Sequence, residues 1–135
     1  MMLRSRISIA ASVIAFAAMT AAAPQGAAQS AANHFKGNTI KIYAGAGAGG
    51  VYGLSGRIIT RHLPKHVPGN PSVRIEFMPG AGGIKVANWL YNVASRDGTV
   101  IGMLLRDTAA NQLVNPKRIK YDVRKFNWMS SWGDA

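Results

Sequence analysis

The chain predicts an α/β fold on a parallel βαβαβ sheet, and three observations carry that expectation. Short β-branched runs alternate with runs of helical periodicity in the order strand, helix, strand, helix, strand. Two glycine-rich turns, Gly45-Ala46-Gly47-Ala48-Gly49-Gly50 and Pro79-Gly80-Ala81-Gly82-Gly83, each lead from a strand-like run into a helix-like one. The last strand-like run is nearly all apolar, as strands covered on both faces of a parallel sheet are.

The first strand is Thr39-Ile40-Lys41-Ile42-Tyr43-Ala44, bounded by glycine. Beyond the first glycine turn Val51, Leu54, Ile58 and Leu63 recur at helical spacing, with Arg57 and Arg61 on a flank. Pro64 and then Pro68-Gly69-Asn70-Pro71 stop that helix. Residues 72–78 make the second strand, Val73, Ile75 and Phe77 alternating with Arg74 and Glu76. After the second glycine turn a helix over residues 84–93 puts Ala87, Leu90, Tyr91 and Ala94 on one face. Arg96-Asp97-Gly98 is a turn, and residues 99–105 are a third strand expected to be buried on both faces. Residues 117–125 are expected as a basic loop and residues 126–132 as a fourth strand. In a parallel sheet with right-handed crossovers, ligands sit outside the carboxyl ends of the strands. Both glycine turns and Arg106-Asp107-Thr108 belong at that edge.

The amino terminus has the pattern of an export signal. Arg4 and Arg6 precede an apolar stretch, Ile7 to Ala23, followed by small residues. Cleavage is expected after Ala21-Ala22-Ala23 or, better, after Gly26-Ala27-Ala28. Seventeen residues, many of them alanine, are short for a membrane span, so the mature chain is not expected to cross a membrane. The expected organisation is a signal over 1–28, a flexible lead-in over 29–36 and one small α/β unit over 37–135, addressed to the periplasm. There is no cysteine, which excludes disulfides and thiolate metal sites. The net charge is +11, or +9 once Arg4 and Arg6 leave with the signal, a field that attracts anions. The basic residues are scattered rather than clustered, and no nucleic-acid partner is expected.

Each glycine turn can bring backbone N–H groups and a helix start against an anion. Gly45, Gly47 and Gly50 also satisfy the dinucleotide-binding pattern, with Glu76 in the next strand as its acid. Glu76 lies inside the alternating strand rather than at its end, and that pattern contains no second glycine loop. Neither loop ends in the Gly-Lys-Ser/Thr of a P-loop. His62 and His66 stand four apart with Pro64 between them and no third ligand, so a metal site is not expected. Trp89 is expected in packing, whereas Tyr52 stands at the mouth of the first turn. Ser55 lacks His and Asp partners, and the few acids form no acid–base couple. No enzyme activity and no cofactor are expected.

Several segments together resemble one family. They are Gly37-Asn38-Thr39-Ile40, Arg57 with Arg61-His62-Leu63, Val67-Pro68-Gly69-Asn70-Pro71, Met78-Pro79-Gly80-Ala81-Gly82-Gly83, Ala87-Asn88-Trp89-Leu90-Tyr91-Asn92, Asp97-Gly98-Thr99 and Arg124-Lys125-Phe126-Asn127-Trp128. The family is that of the extracytoplasmic substrate-binding receptors of tripartite tricarboxylate transporters, the Bug proteins. The resemblance implies a type II periplasmic-binding-protein fold, two α/β lobes closing on a small carboxylate that is then passed to membrane permease subunits. It implies ligand contacts from Ala46, Gly47, Ala48, Gly49, Gly50, Val51 and Tyr52 in the first loop and from Pro79, Gly80, Ala81, Gly82 and Gly83 in the second. Arg106 would add a charged contact. Many members carry an acid where this chain has Gly53, which leans against amino-acid ligands. The family runs to about three hundred residues, two domains by ordinary size, so residues 37–135 would be an incomplete first lobe. Without the opposing lobe, ligand binding is expected to be weak or absent. The alternatives are an exported dinucleotide-binding enzyme domain and a basic exported domain that adsorbs anionic polymers.

Overall fold

Strand β1 (Thr39–Ala44) runs through the middle of a three-stranded, all-parallel sheet, with β2 (Ser72–Phe77) on one side and β3 (Val100–Met103) on the other. This sheet belongs to a computed structural model that describes residues 25–131. The apolar leader, the Ala21–Ala23 cleavage position and Trp132 lie outside the described residues. Among the described residues the other elements are helices α1 (Gln25–Phe35), α2 (Gly50–His62), α3 (Ile84–Asn92) and α4 (Thr108–Val114), with single 3-10 turns at Leu63–His66, Ala81–Gly83 and Val123–Lys125. The α/β parallel class expected from the strand–helix alternation is the class found.

Pairing sets Ile42 beside Ile75 and Ile101, and Tyr43 beside Glu76 and Gly102. Paired residues point to the same side, so Ile40, Ile42 and Ala44 share one face with Val73, Ile75, Phe77, Ile101 and Met103. Helix α2 lies on that face, where a Cβ on Gly56 would overlap Ile75 Cδ1. Helix α3 lies on the other, its Trp89 ring 4.3 Å from Tyr43 and its Leu90 filling the space left by Gly102. Helices on opposite faces follow from right-handed crossovers when the chain steps first to one side of β1 and then to the other. Ile40, Ile42, Ala44, Val86 and Ala87 form the buried core.

Four expectations are corrected. The lead-in over 29–36 is helical as far as Phe35 rather than flexible, because α1 is alanine-rich and docked. His34 Nε2 donates to the Asp97 carbonyl at 2.8 Å, Phe35 packs beneath Gly98, and the Ala32 carbonyl presses on Gly69. These contacts hold α1 across the amino ends of the strands. Helix α2 inverts the expected face: Gly53, Ser55 and Gly56 are buried, whereas Val51, Leu54 and Ile58 are exposed. Small residues let the helix approach the sheet so closely that the aliphatics face outward. The third strand is shorter than expected and half-buried throughout, since it pairs only with β1 among the described residues. Residues 126–131 join no strand. Phe126 instead packs between Tyr91 and Tyr121, with ring centroids 5.7 and 5.9 Å away, and Trp128 Nε1 donates to the Val123 carbonyl.

The basic segment is irregular, as expected, but pinned. Asn88 donates to the Arg118 carbonyl at 3.0 Å and accepts from the Lys120 amide at 2.7 Å, and Asn92 donates to the Lys120 carbonyl. Farther along, the Asp122 carboxylate accepts from Nε and Nη2 of Arg124 and from its backbone amide. Those side-chain bonds, then the amide bond and the nearby positive charge, hold the Asp122 carboxyl down at about 2, below its ordinary 3.8. A depressed folded-state value means this contribution is complete above the ordinary carboxylate range and fades as pH falls through about 2. A carboxyl-carbon NMR titration is expected to place the Asp122 midpoint near 2; an ordinary midpoint would show the bidentate pair to be absent in solution.

Candidate functional site

Parallel strands deliver all their carboxyl ends to one edge, and the ladder continues just past them. The Gly45 amide donates to the Met103 carbonyl at 3.1 Å, and the Met78 amide to the Ala44 carbonyl at 2.8 Å. At Gly45 three segments meet. A Cβ there would come within 2.6 Å of Leu105 Cδ1, 2.8 Å of Val86 Cγ1 and 3.5 Å of the Gly83 Cα. A Cβ on Gly83 would in turn crowd Leu105, lying 3.0 Å from its Cδ1 and 3.3 Å from its Cβ. The two glycine turns and the segment after β3 therefore converge on one edge.

The first turn folds back on the start of α2. Its Ala48 carbonyl occupies the space where a Gly53 side chain would be, and Arg57 Nη1 donates to that carbonyl at 3.4 Å. Position 53 is thus closed to any side chain in this loop conformation. The N-cap of α2 is Gly49, which offers no side chain, and the first turn holds no acidic residue. The opening amides of the helix are left to whatever lies beyond, with the positive end of the helix dipole behind them. Among the described residues, the amides of residues 46–49 and 80–82 donate to no protein group.

The second turn is backbone-strained. Gly80, Ala81, Gly82 and Gly83 all have positive φ, at 146°, 48°, 59° and 82°. Glycine adopts these values freely, but Ala81 there costs about 1–2 kcal/mol. Strain of this kind persists where the surroundings hold it. Here the Gly83 amide donates to the Gly80 carbonyl at 3.0 Å, and Asn111 Nδ2 reaches the Gly82 carbonyl at 3.4 Å.

The third segment is locked from behind. Thr108 gives both its amide and its hydroxyl to the Leu105 carbonyl, at 3.1 and 2.6 Å, and the buried Tyr121 hydroxyl donates to the Thr108 carbonyl at 2.8 Å. Burial pushes the Tyr121 phenol above its ordinary value.

Of the residues expected at the site, Gly47, Ala48, Gly49, Gly50, Val51, Pro79, Gly80, Ala81 and Gly82 are exposed at this edge, Ala46 and Tyr52 are half-buried, and Gly83 is buried. Arg106 follows Leu105, is exposed, and makes no hydrogen bond or ion pair among the described residues. The structure brings Gly45, Gly83 and Leu105 into contact; it gives Tyr52 and Arg106 no hydrogen bond to either glycine turn. Sequence reasoning missed Arg57, Asn111 and Tyr121 as supports of the edge. Each acts on a main-chain carbonyl distant in sequence, and residue spacing carries no signal for that. Among the described residues no three His, Asp or Glu side chains gather as a metal site would need. No family model, curated protein or solved structure matches the chain.

Two substitutions in α2 separate loop support from helix packing. Gly56→Ala displaces only the rotatable Ile75 side chain, Cδ1 and, less, Cγ1, and gains helix propensity, so stability is expected to change by less than about 1 kcal/mol. Gly53→Ala pushes on the Ala48 backbone and is expected to cost about 1–3 kcal/mol despite the same propensity gain. Equal urea-unfolding midpoints for the two would contradict the folded-back loop. Tyr121→Phe leaves the Thr108 carbonyl short of a donor and is expected to lower stability by about 1–2 kcal/mol. Its backbone shifts should reach Leu105 in an amide NMR spectrum, and an unchanged spectrum there would dissolve the lock.

Proposed function

We propose that this chain forms the carboxylate-binding lobe of an exported solute receptor of the tripartite tricarboxylate type, binding its ligand through backbone amides rather than transforming it. The observation that carries the reading is the contact of both glycine turns at Gly45 and Gly83, which directs two sets of undonated amides to one edge. A Cβ on Gly47, Gly49, Gly50 or Gly82 would meet nothing within 4 Å, so the loops are open to an incoming group. Neither turn contains an acidic residue, and the chain's excess positive charge favours an anion. Arg57 donates to the Ala48 carbonyl of the first loop, and the exposed Arg106 follows Leu105, which touches Gly83 of the second. Among the described residues no helix is long and apolar enough to cross a membrane, which fits a receptor delivering to separate membrane subunits.

Strand order weighs against the dinucleotide alternative. In a mononucleotide-binding half of that fold the third strand lies beside the second, giving 3-2-1. Here β3 lies beside β1, giving β2-β1-β3. This order leaves the crevice between β1 and β3, where crossovers part to opposite faces. Glu76 is paired with Tyr43 inside the ladder rather than set at the strand end where a ribose would be gripped. Asp97 and Asp122 are committed to Thr99 and Arg124, which supports binding over acid–base chemistry.

All contacts come from one side of the ligand, so affinity is expected to be millimolar, about −4 kcal/mol. Titrating citrate into labelled protein should move the amides of residues 47–52 and 80–83 together and saturably, with the shifts suppressed by added salt. Shifts centred outside the two turns, or tighter binding of a nicotinamide dinucleotide than of citrate, would reject the reading.

A further inference from the structure

Helix α2 carries a second surface that shares Val51 and Arg57 with the carboxylate reading and otherwise lies outside it. Its buried side is built from Gly53, Ser55 and Gly56, and the opposite side exposes Val51, Leu54 and Ile58 at 72, 56 and 45 %. A surface helix ordinarily turns polar residues outward. Here the outward stripe is aliphatic, with the spacing i, i+3, i+7 of a helix–helix seam. One edge of the stripe is lined by Arg57 and Arg61 and the other by His62, and the helix contains no acidic residue. The ion pair between Arg124 and Asp122 engages neither arginine.

We infer that this stripe docks an amphipathic helix of a partner protein, one with aliphatic residues along its seam and carboxylates set against Arg57 and Arg61. The narrowness of the stripe decides the class of partner. Three aliphatics at seam spacing fit the knobs of one facing helix, whereas insertion into a membrane surface uses a broad apolar face with large side chains. Charge decides the sign. A second copy of this chain would set arginines against arginines between molecules that each carry +11, so self-pairing is disfavoured. An acidic partner relieves both the exposed apolar area and the unneutralised cations. The inference stands whether or not the carboxylate reading holds, because Leu54, Ile58 and Arg61 lie outside the glycine turns.

The test uses the full chain and two synthetic helical peptides with the same leucine seam, one flanked by glutamate and one by lysine. The glutamate peptide is expected to bind with micromolar affinity by fluorescence anisotropy, and the lysine peptide about tenfold more weakly or not at all. Leu54→Ser and Ile58→Ser should each weaken the glutamate peptide about tenfold. Both side chains are exposed, so the urea-unfolding midpoint is expected to stay where it is, which separates lost docking from lost folding. Arg61→Glu should reverse the preference between the two peptides. Equal binding of both peptides, or of neither, would overturn the inference. So would binding to phosphatidylglycerol vesicles in preference to the peptide, or sedimentation as a dimer that Leu54→Ser dissociates.

Discussion

Where β1 ends, Gly45 leaves the space a side chain would take to Leu105 and Val86, and the rest of the edge is built on that close approach. Gly45 lets Leu105, Val86 and the Gly83 backbone close to van der Waals contact over the central strand. Those atoms belong to the segment after β3, to α3 and to the second glycine turn. A methyl group at this point would force Leu105 Cδ1 and Val86 Cγ1 to shift, while the Gly83 backbone would stay at ordinary contact distance. The ladder bonds from Gly45 to Met103 and from Met78 to Ala44 fix the approach in the other direction. What looks like loop flexibility in a glycine-rich stretch is here a demand for proximity.

Proximity by omission also governs α2. Gly53 admits the Ala48 carbonyl and Gly56 admits Ile75, so helix, loop and sheet lie closer than larger residues would permit. The consequence is an inverted helix, small inside and aliphatic outside. The energetic sense is plain: close backbone approach replaces side-chain interdigitation on the inner face, and the aliphatics are left on the solvent side. The same helix thus presents undonated amides at its start and an apolar stripe along its length, two surfaces suited to two different partners.

The strands and the two glycine turns were legible because alternation and punctuation are local signals. Val73, Ile75 and Phe77 mark one side of β2 in sequence and are its half-buried side in the fold. Trp89 was legible as packing, and it meets Tyr43. The side on which α2 packs was not legible, since periodicity ranks Val51, Leu54 and Ile58 above glycines and cannot see a carbonyl waiting over Gly53. Helix α1 was missed because alanine, glutamine and serine suit a linker as well as a helix until His34 and Phe35 find Asp97 and Gly98. The fourth strand was expected from its aromatics, but Phe126 and Trp128 are satisfied in a cluster with Tyr91 and Tyr121. At the edge the glycines were found and their supports were not. Arg57, Asn111 and Tyr121 reach carbonyls that only the folded chain brings near.

The asparagine pair on α3 has a bearing on how this protein can drift over generations. Asn88 and Asn92 grip the main chain at positions 118 and 120 and ignore the side chains there. The route of that segment is therefore insensitive to which residues occupy it. Arg118 and Lys120 can be exchanged for neutral or acidic residues without unseating the strand of chain they belong to. Surface charge on this flank is free to be retuned while the scaffold stays put.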